Sequence, residues 1–166
     1  MNILTNALII IATFTFMELV AWFLHKYILH TFLWVVHDTH HLPRTGLWEK
    51  NDMIAFVFGI PSWLFMMFGI MAGGDWRLYV GIGILIYGVC YILIHDGLVH
   101  QRFKIFSSRP RNWYLLGLKL GHEAHHQHDN KPDYRKENDV VWGMLWVPHR
   151  YFRQAAAALS SGRENK

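Results

Sequence analysis

The chain has 166 residues, of which 52% are hydrophobic and 17% charged, and its formal charge is +4. A soluble domain usually carries about a quarter charged residues, so the composition argues against an ordinary soluble globule. The 8 Trp, 7 Tyr and 11 Phe exclude a disordered chain, and the single Cys90 excludes an internal disulfide.

Residues 3–24 form an apolar run whose one charge is Glu18, and 53–74 and 78–94 carry no charge at all. A helix crossing a bilayer needs about 17 to 25 such residues. Gly and Pro inside these runs (Gly59, Pro61, Gly81, Gly83, Gly88) are tolerated in membrane helices. The expected fold is therefore all-α: an integral membrane protein with three spans. A fourth, bent span through 113–121 is the alternative, and Lys119 counts against it. The first run has no basic stretch before it, so it does not read as a cleavable signal.

Of the 16 Lys and Arg, only Arg77 lies in the turn between the second and third runs. The others follow span one or span three, and positive charge marks the cytoplasmic side. This predicts a multi-pass protein of the cell (inner) membrane with its N-terminus outside and its polar regions, 25–52 and 95–159, cytoplasmic. The basic stretch 102–111 suits anionic headgroups. The short apolar stretches 113–120 and 140–148 read as interfacial or packed beneath the membrane, and 129–139 as a charged loop. A single domain over 1–159 is expected, with a disordered tail over 160–166. Asp52, after Asn51, reads as the N-cap of span two.

Ten of the 12 histidines fall into four clusters. His25 and His30 stand as H-x4-H at the end of span one, and His37, His40 and His41 follow as H-x2-H-H. His95 and His100 repeat the first pattern after span three, and His122, His125 and His126 repeat the second. The topology puts all four on one face of the membrane. Residues three and four apart share a helix face, so each H-x2-H-H triplet would present its imidazoles in one direction. An H-x4-H pair is about 140° apart on an ideal helix. Such a pair needs a helix end or a bend, serves two ions, or keeps one side chain outside the helix. His128 and His149 lie outside the pattern and read as polar surface.

Neutral imidazole suits iron, zinc and copper. Ten imidazoles are too many for one ion and about right for two. Ligand histidines usually donate their other ring N–H to a carboxylate, carbonyl or water. Asp38, Asp96 and Glu123 are candidates for that role, or else caps and solvated residues. Glu18, a carboxylate inside a span, either reaches a ligand histidine or polar cavity group, or bonds between helices.

These residues resemble the membrane-bound histidine-motif oxygenases of the fatty acid hydroxylase superfamily, most closely the bacterial β-carotene hydroxylases. The resemblance covers about residues 17 to 152. It rests on Glu18 with His25-Lys26-Tyr27-Ile28 and His30, His37 with His40-His41-Leu42-Pro43-Arg44, the string from His95 to Arg102, and His122 with His125-His126. It implies a non-haem diiron centre held by these histidines, with O2 as co-substrate. Electrons would come from NAD(P)H through ferredoxin and its reductase. It further implies hydroxylation of carbon 3 of β-ionone rings, taking β-carotene through cryptoxanthin to zeaxanthin. A carotenoid or other lipid in the bilayer, a ferredoxin-type donor and membrane lipids are the expected partners; a nucleic acid is not. The stretches 128–139 and 140–148 depart from the pattern.

Other readings remain in view. A fatty acyl or sterol hydroxylase or a desaturase of the same superfamily is the first alternative. His122-Glu123-Ala124-His125-His126 also satisfies H-E-x-x-H, the motif of zinc metalloproteases with Glu123 as base, but it leaves seven patterned histidines unused. A haem protein would want facing histidines within its helices, and a metal transporter would need polar groups along its spans.

Overall fold

Helix α1 (Ile3–Phe23) opens where Asn2 accepts the Thr5 backbone N–H at 2.8 Å, which satisfies one of the free donors of a first helical turn. Its apolar residues lie all round it, as befits a helix whose surroundings are hydrocarbon. The computed structural model describes residues 2–42, 46, 48–103, 105–128 and 141–164. Pro43, Arg44, the charged loop 129–139 and the last two residues of the expected tail lie outside the described residues.

Three helices are long and apolar enough to cross a membrane: Ile3–Leu29, Lys50–Met71 and Trp76–Val99. They match the three expected spans, and each extends at its polar end. The first and third do so by changing pitch. Beyond α1 the chain continues as a π-helical turn over Leu24–Leu29, and beyond α4 (Trp76–Tyr91) as another over Ile92–Val99. Between them lie α2 (Trp34–His37), which tightens into a 3-10 turn over Asp38–His41, and a second 3-10 turn over Lys50–Met53 that leads into α3 (Ile54–Met71). No strand is present among the described residues.

The chain divides into two compact units, Met1–Cys90 and Tyr91–Lys166. In the first, small residues set the helix packing, as is usual where lipid removes any hydrophobic advantage to large ones. A side chain at Gly81 would overlap Met66 and the Ser62 carbonyl, and one at Gly83 would overlap Thr13 and the Ile10 carbonyl. Ser62 Oγ donates to the Gly81 carbonyl at 2.8 Å. The α3–α4 turn needs left-handed backbone at Gly73 (φ 79°) and Gly74 (φ 88°), which glycine supplies without strain. Asp75 then accepts the Arg77 backbone N–H at 3.1 Å and starts α4.

In the second unit, α5 (Trp113–His128) and α6 (His149–Glu164) pack around Leu118, Val141, Val147, Tyr151 and Phe152. Gly117 lets α5 approach Phe152, and Gly121 lets it approach Val141 and Val147. Tyr114 stacks on Phe152 and donates its hydroxyl to the Leu145 carbonyl at 2.6 Å. The 113–121 segment is thus the start of a packed helix, and α5 is not among the three span candidates. Lys119 donates to the Val99 carbonyl at 3.2 Å, covering a carbonyl that the end of the π-turn leaves open. The segment from Ser160, expected as a disordered tail, is helical as far as Glu164. The preceding run Ala155–Ala158 consists of the best helix former, and Ser160 and Ser161 bond back to the Ala157 and Ala158 carbonyls.

Candidate metal centre

The two π-turns resolve the H-x4-H problem. An i→i+5 hydrogen bond widens each turn, so residues five apart come much nearer to one face than the roughly 140° of an α-helix allows. The bonds run from His30 N–H to the His25 carbonyl at 3.2 Å and from His100 N–H to the His95 carbonyl at 2.9 Å. The paired rings consequently lie 4.9 Å and 4.6 Å apart. The spacing that fails on an α-helix is brought together by the wider π-turn.

In the first unit, His25, His30, His37 and His41 each offer a ring nitrogen, and these atoms lie within 4.8 Å of one another. The Nε2 atoms of His25 and His30 are 3.1 Å apart, those of His25 and His37 3.2 Å, and those of His37 and His41 3.0 Å. His30 and His37 are buried. The triplet His37, His40 and His41 does not share one α-helical face, because the helix tightens into the 3-10 turn after His37. His40 places its Nδ1 3.4 Å from Glu49 Oε2.

In the second unit, His100, His122 and His126 offer nitrogens that again lie within 4.8 Å of one another. His122 Nε2 is 3.3 Å from that of His100 and 3.0 Å from that of His126. Here the triplet stands on one α-helix, α5, but His125 does not join the nitrogen group of His122 and His126. His95 stacks on Tyr91 and lies 5.0 Å, ring to ring, from His122. His125 is fully buried, 5.7 Å from His122 and 5.2 Å from the Trp142 ring. Burial, followed by the neighbouring imidazoles of His95, His126, His100 and His125, pushes His122 well below the ordinary histidine range. The ring is therefore held neutral, the form that has a lone pair to offer a metal.

The carboxylates divide. His95 Nδ1–H donates to Asp96 Oδ1 at 2.6 Å, and Arg102 holds the other oxygen at 3.2 Å. Glu123 pairs instead with Lys119, 3.2 Å away, at a half-exposed position. Asp38 Oδ1 finds no partner among the described residues. Glu18 of α1 accepts the Tyr87 hydroxyl of α4 at 2.8 Å. Two orienting groups were not foreseen. Asn51 Oδ1 accepts from His37 Nδ1 at 2.7 Å, and Glu49 faces His40. Their signal was the polar string Glu49-Lys50-Asn51-Asp52 set directly before an uncharged span. Asp52 is not the N-cap: Glu49 is, and Asp52 accepts its N–H at 3.0 Å in a reciprocal capping box.

The fatty acid hydroxylase family matches residues 10–146, most of the chain. The chain belongs to that family. Within it, the chain is 42% identical over 144 residues to a β-carotene hydroxylase of Pantoea ananas, covering 86% of this chain and 78% of that protein. It is 42% identical over 164 residues to a β-carotene hydroxylase of Pseudescherichia vulneris, covering 98% and 89%. A chloroplastic β-carotene 3-hydroxylase of Haematococcus lacustris is 36% identical over 139 residues, or 80% of this chain and 40% of that one. No solved structure matches the chain. Membership of this family and the two histidine groups are consistent with iron binding, and the apolar helices fit a substrate that resides in the membrane.

Proposed function

We propose that the chain is a membrane-bound non-haem diiron oxygenase that hydroxylates carbon 3 of the β-ionone rings of carotenoids, converting β-carotene through cryptoxanthin to zeaxanthin. One observation carries the reading: a chain similar over most of its length to bacterial β-carotene hydroxylases gathers imidazole nitrogens in each of its two units. The donor set fits metal. At an ion with nitrogen ligands about 2.1 Å away, neighbouring ligand atoms stand about 3.0 to 3.4 Å apart. The Nε2 atoms here are separated by 3.0 to 3.3 Å. Seven such nitrogens exceed what one ion takes.

In this reading His25, His30, His37, His40, His41, His95, His100, His122, His125 and His126 hold two iron ions. When bound, these ions supply the oxidising power that an unactivated C–H bond demands, with O2 as co-substrate and electrons from NAD(P)H by way of ferredoxin and its reductase. The protein's part is orientation and protonation state. Asp96 keeps the proton of His95 on Nδ1 and so turns its Nε2 outward as a donor. Burial keeps His122 neutral. The apolar helices hold the lipid substrate in the bilayer, while the Lys and Arg distribution supports an outside N-terminus and cytoplasmic histidines in the inner membrane.

Expression in a bacterium that accumulates β-carotene tests the proposal. Cryptoxanthin and zeaxanthin should appear in the pigment extract. Unchanged pigment beside folded, iron-loaded protein would overturn the carotenoid assignment in favour of an acyl-lipid or sterol substrate.

A further inference from the structure

We propose that the turn Lys50–Met53 is a positioning device for the first histidine group, with Asn51 fixing the tautomer and orientation of His37. The inference rests on reading His37 as an iron ligand. Asn51 is one of the few buried polar residues of the first unit and sits 14 residues from the ring it contacts. Its Oδ1 stands 2.7 Å from His37 Nδ1. An amide oxygen can only accept, so the imidazole proton stays on Nδ1 and the lone pair on Nε2. That Nε2 is the atom 3.2 Å from His25 and 3.0 Å from His41.

The turn is itself capped and tethered. Glu49 and Asp52 cap it reciprocally, with Asp52 3.0 Å from the Glu49 N–H, and Lys50 Nζ reaches the Val35 carbonyl of α2 at 3.4 Å. The same turn sets Glu49 against His40. Two rings of one triplet are thus addressed from a single short element, and α2 is tied to it. The acceptor on His37 is neutral, whereas the second unit sets a carboxylate on His95. Asn51 therefore orients its ring without adding the basicity that a carboxylate would.

The test compares Asn51→Leu, which keeps the shape and removes the acceptor, with Asn51→Asp, which keeps the acceptor and adds charge. Full-length protein in detergent is loaded with ferrous iron anaerobically, and affinity is read by chelator competition. Asn51→Leu should bind iron about 10- to 100-fold more weakly, the usual cost of losing an orienting partner, while Asn51→Asp stays within about threefold of wild type. The opposite ranking, or equal loss in both, means that Asn51 acts by packing and overturns the proposal. A second readout needs neither iron nor turnover. In metal-free wild type, 15N-histidine spectra should show His37 as the Nδ1–H tautomer, and Asn51→Leu should lose that single tautomer. A His37 that stays Nδ1–H in the variant also overturns it. The parent reading fails separately: wild type would take up no iron, or His37→Ala would load as wild type does.

Discussion

The two histidine-bearing units use one sequence pattern and build it differently. Each begins with H-x4-H on a π-turn, formed by the same i→i+5 bond at the polar end of an apolar helix. In the first unit, H-x2-H-H then sits where α2 tightens to 3-10, steadied by Asn51 and Glu49 from a capped turn. In the second it sits on an uninterrupted α-helix backed by an apolar core, and the carboxylate that meets a histidine ring is that of Asp96, adjacent in sequence to His95. The spacing of donors is what the pattern specifies; the scaffold and the charge around the donors are free to differ.

The most severe way to break the comparison is to remove a donor from either unit. His37→Ala and His122→Ala should each lower hydroxylation by more than about 100-fold, beyond the range for losing an outer partner, as read from pigment extracts. If one unit tolerates the loss, the two are not equivalent in function. Next come changes of pitch. Inserting one alanine after Ile28 or after Leu98 turns H-x4-H into H-x5-H, which a π-turn does not align, and iron affinity should fall about 10- to 100-fold. Deleting one residue at the same points gives an i,i+4 pair, which an ordinary α-helix aligns, so the loss should be milder. Iron content that survives the insertion but not the deletion would refute the role of the π-turns.

Much of this was legible in the residues. The three apolar runs pointed to the spans, because length and near-absence of charge are enough for that inference. The four clusters pointed to the imidazoles that each unit gathers, because their spacing recurs at the polar ends of the apolar runs. The π-turns were not legible, although H-x4-H posed the problem they solve: no residue type marks a change of pitch, and only the hydrogen bonds reveal it. Asn51 and Glu49 were missed because a contact across 14 or nine residues follows no local period. Between the two roles open to Glu123 the sequence could not choose, because adjacency to a histidine says nothing of direction on a helix; its side chain pairs with Lys119 four residues back.

The orienting groups offer a finer comparison. Asp96→Asn gives the second unit a neutral acceptor like that of the first and also weakens the Arg102 pairing. Iron affinity should fall about 10-fold, at the mild end for such partners, while Asp96→Ala should fall further; equal effects would mean that charge, not orientation, is what Asp96 provides. The metal-free protein should also sense acid through the second unit. The folded state holds His122 well below its unfolded pKa, so it resists a proton that the unfolded chain accepts. The stability difference is absent above the unfolded value of about 6.5 and grows as pH falls below it. Melting temperature should therefore drop between pH 7.5 and 5.5, and His122→Asn should flatten that slope.

The smallest expected effect lies deepest in the first unit. Tyr87 is buried, packs edge-on against Phe14 and donates to Glu18 across 69 residues of sequence. Hydrogen bonds between membrane helices average only about 0.6 kcal/mol and reach about 1.7, because the separated helices find other partners in the bilayer. Tyr87→Phe should cost about 1 kcal/mol, since Glu18 loses this donor in an apolar setting. Glu18→Gln keeps an acceptor for the Tyr87 hydroxyl and should cost less. Hydrogen exchange resolved by segment decides whether the cost is local. Protection should weaken in α1 and α4 and remain in α5 and α6, whose core contains neither residue. If α5 and α6 lose protection equally, the two units unfold as one, and the difference between their scaffolds has no counterpart in stability.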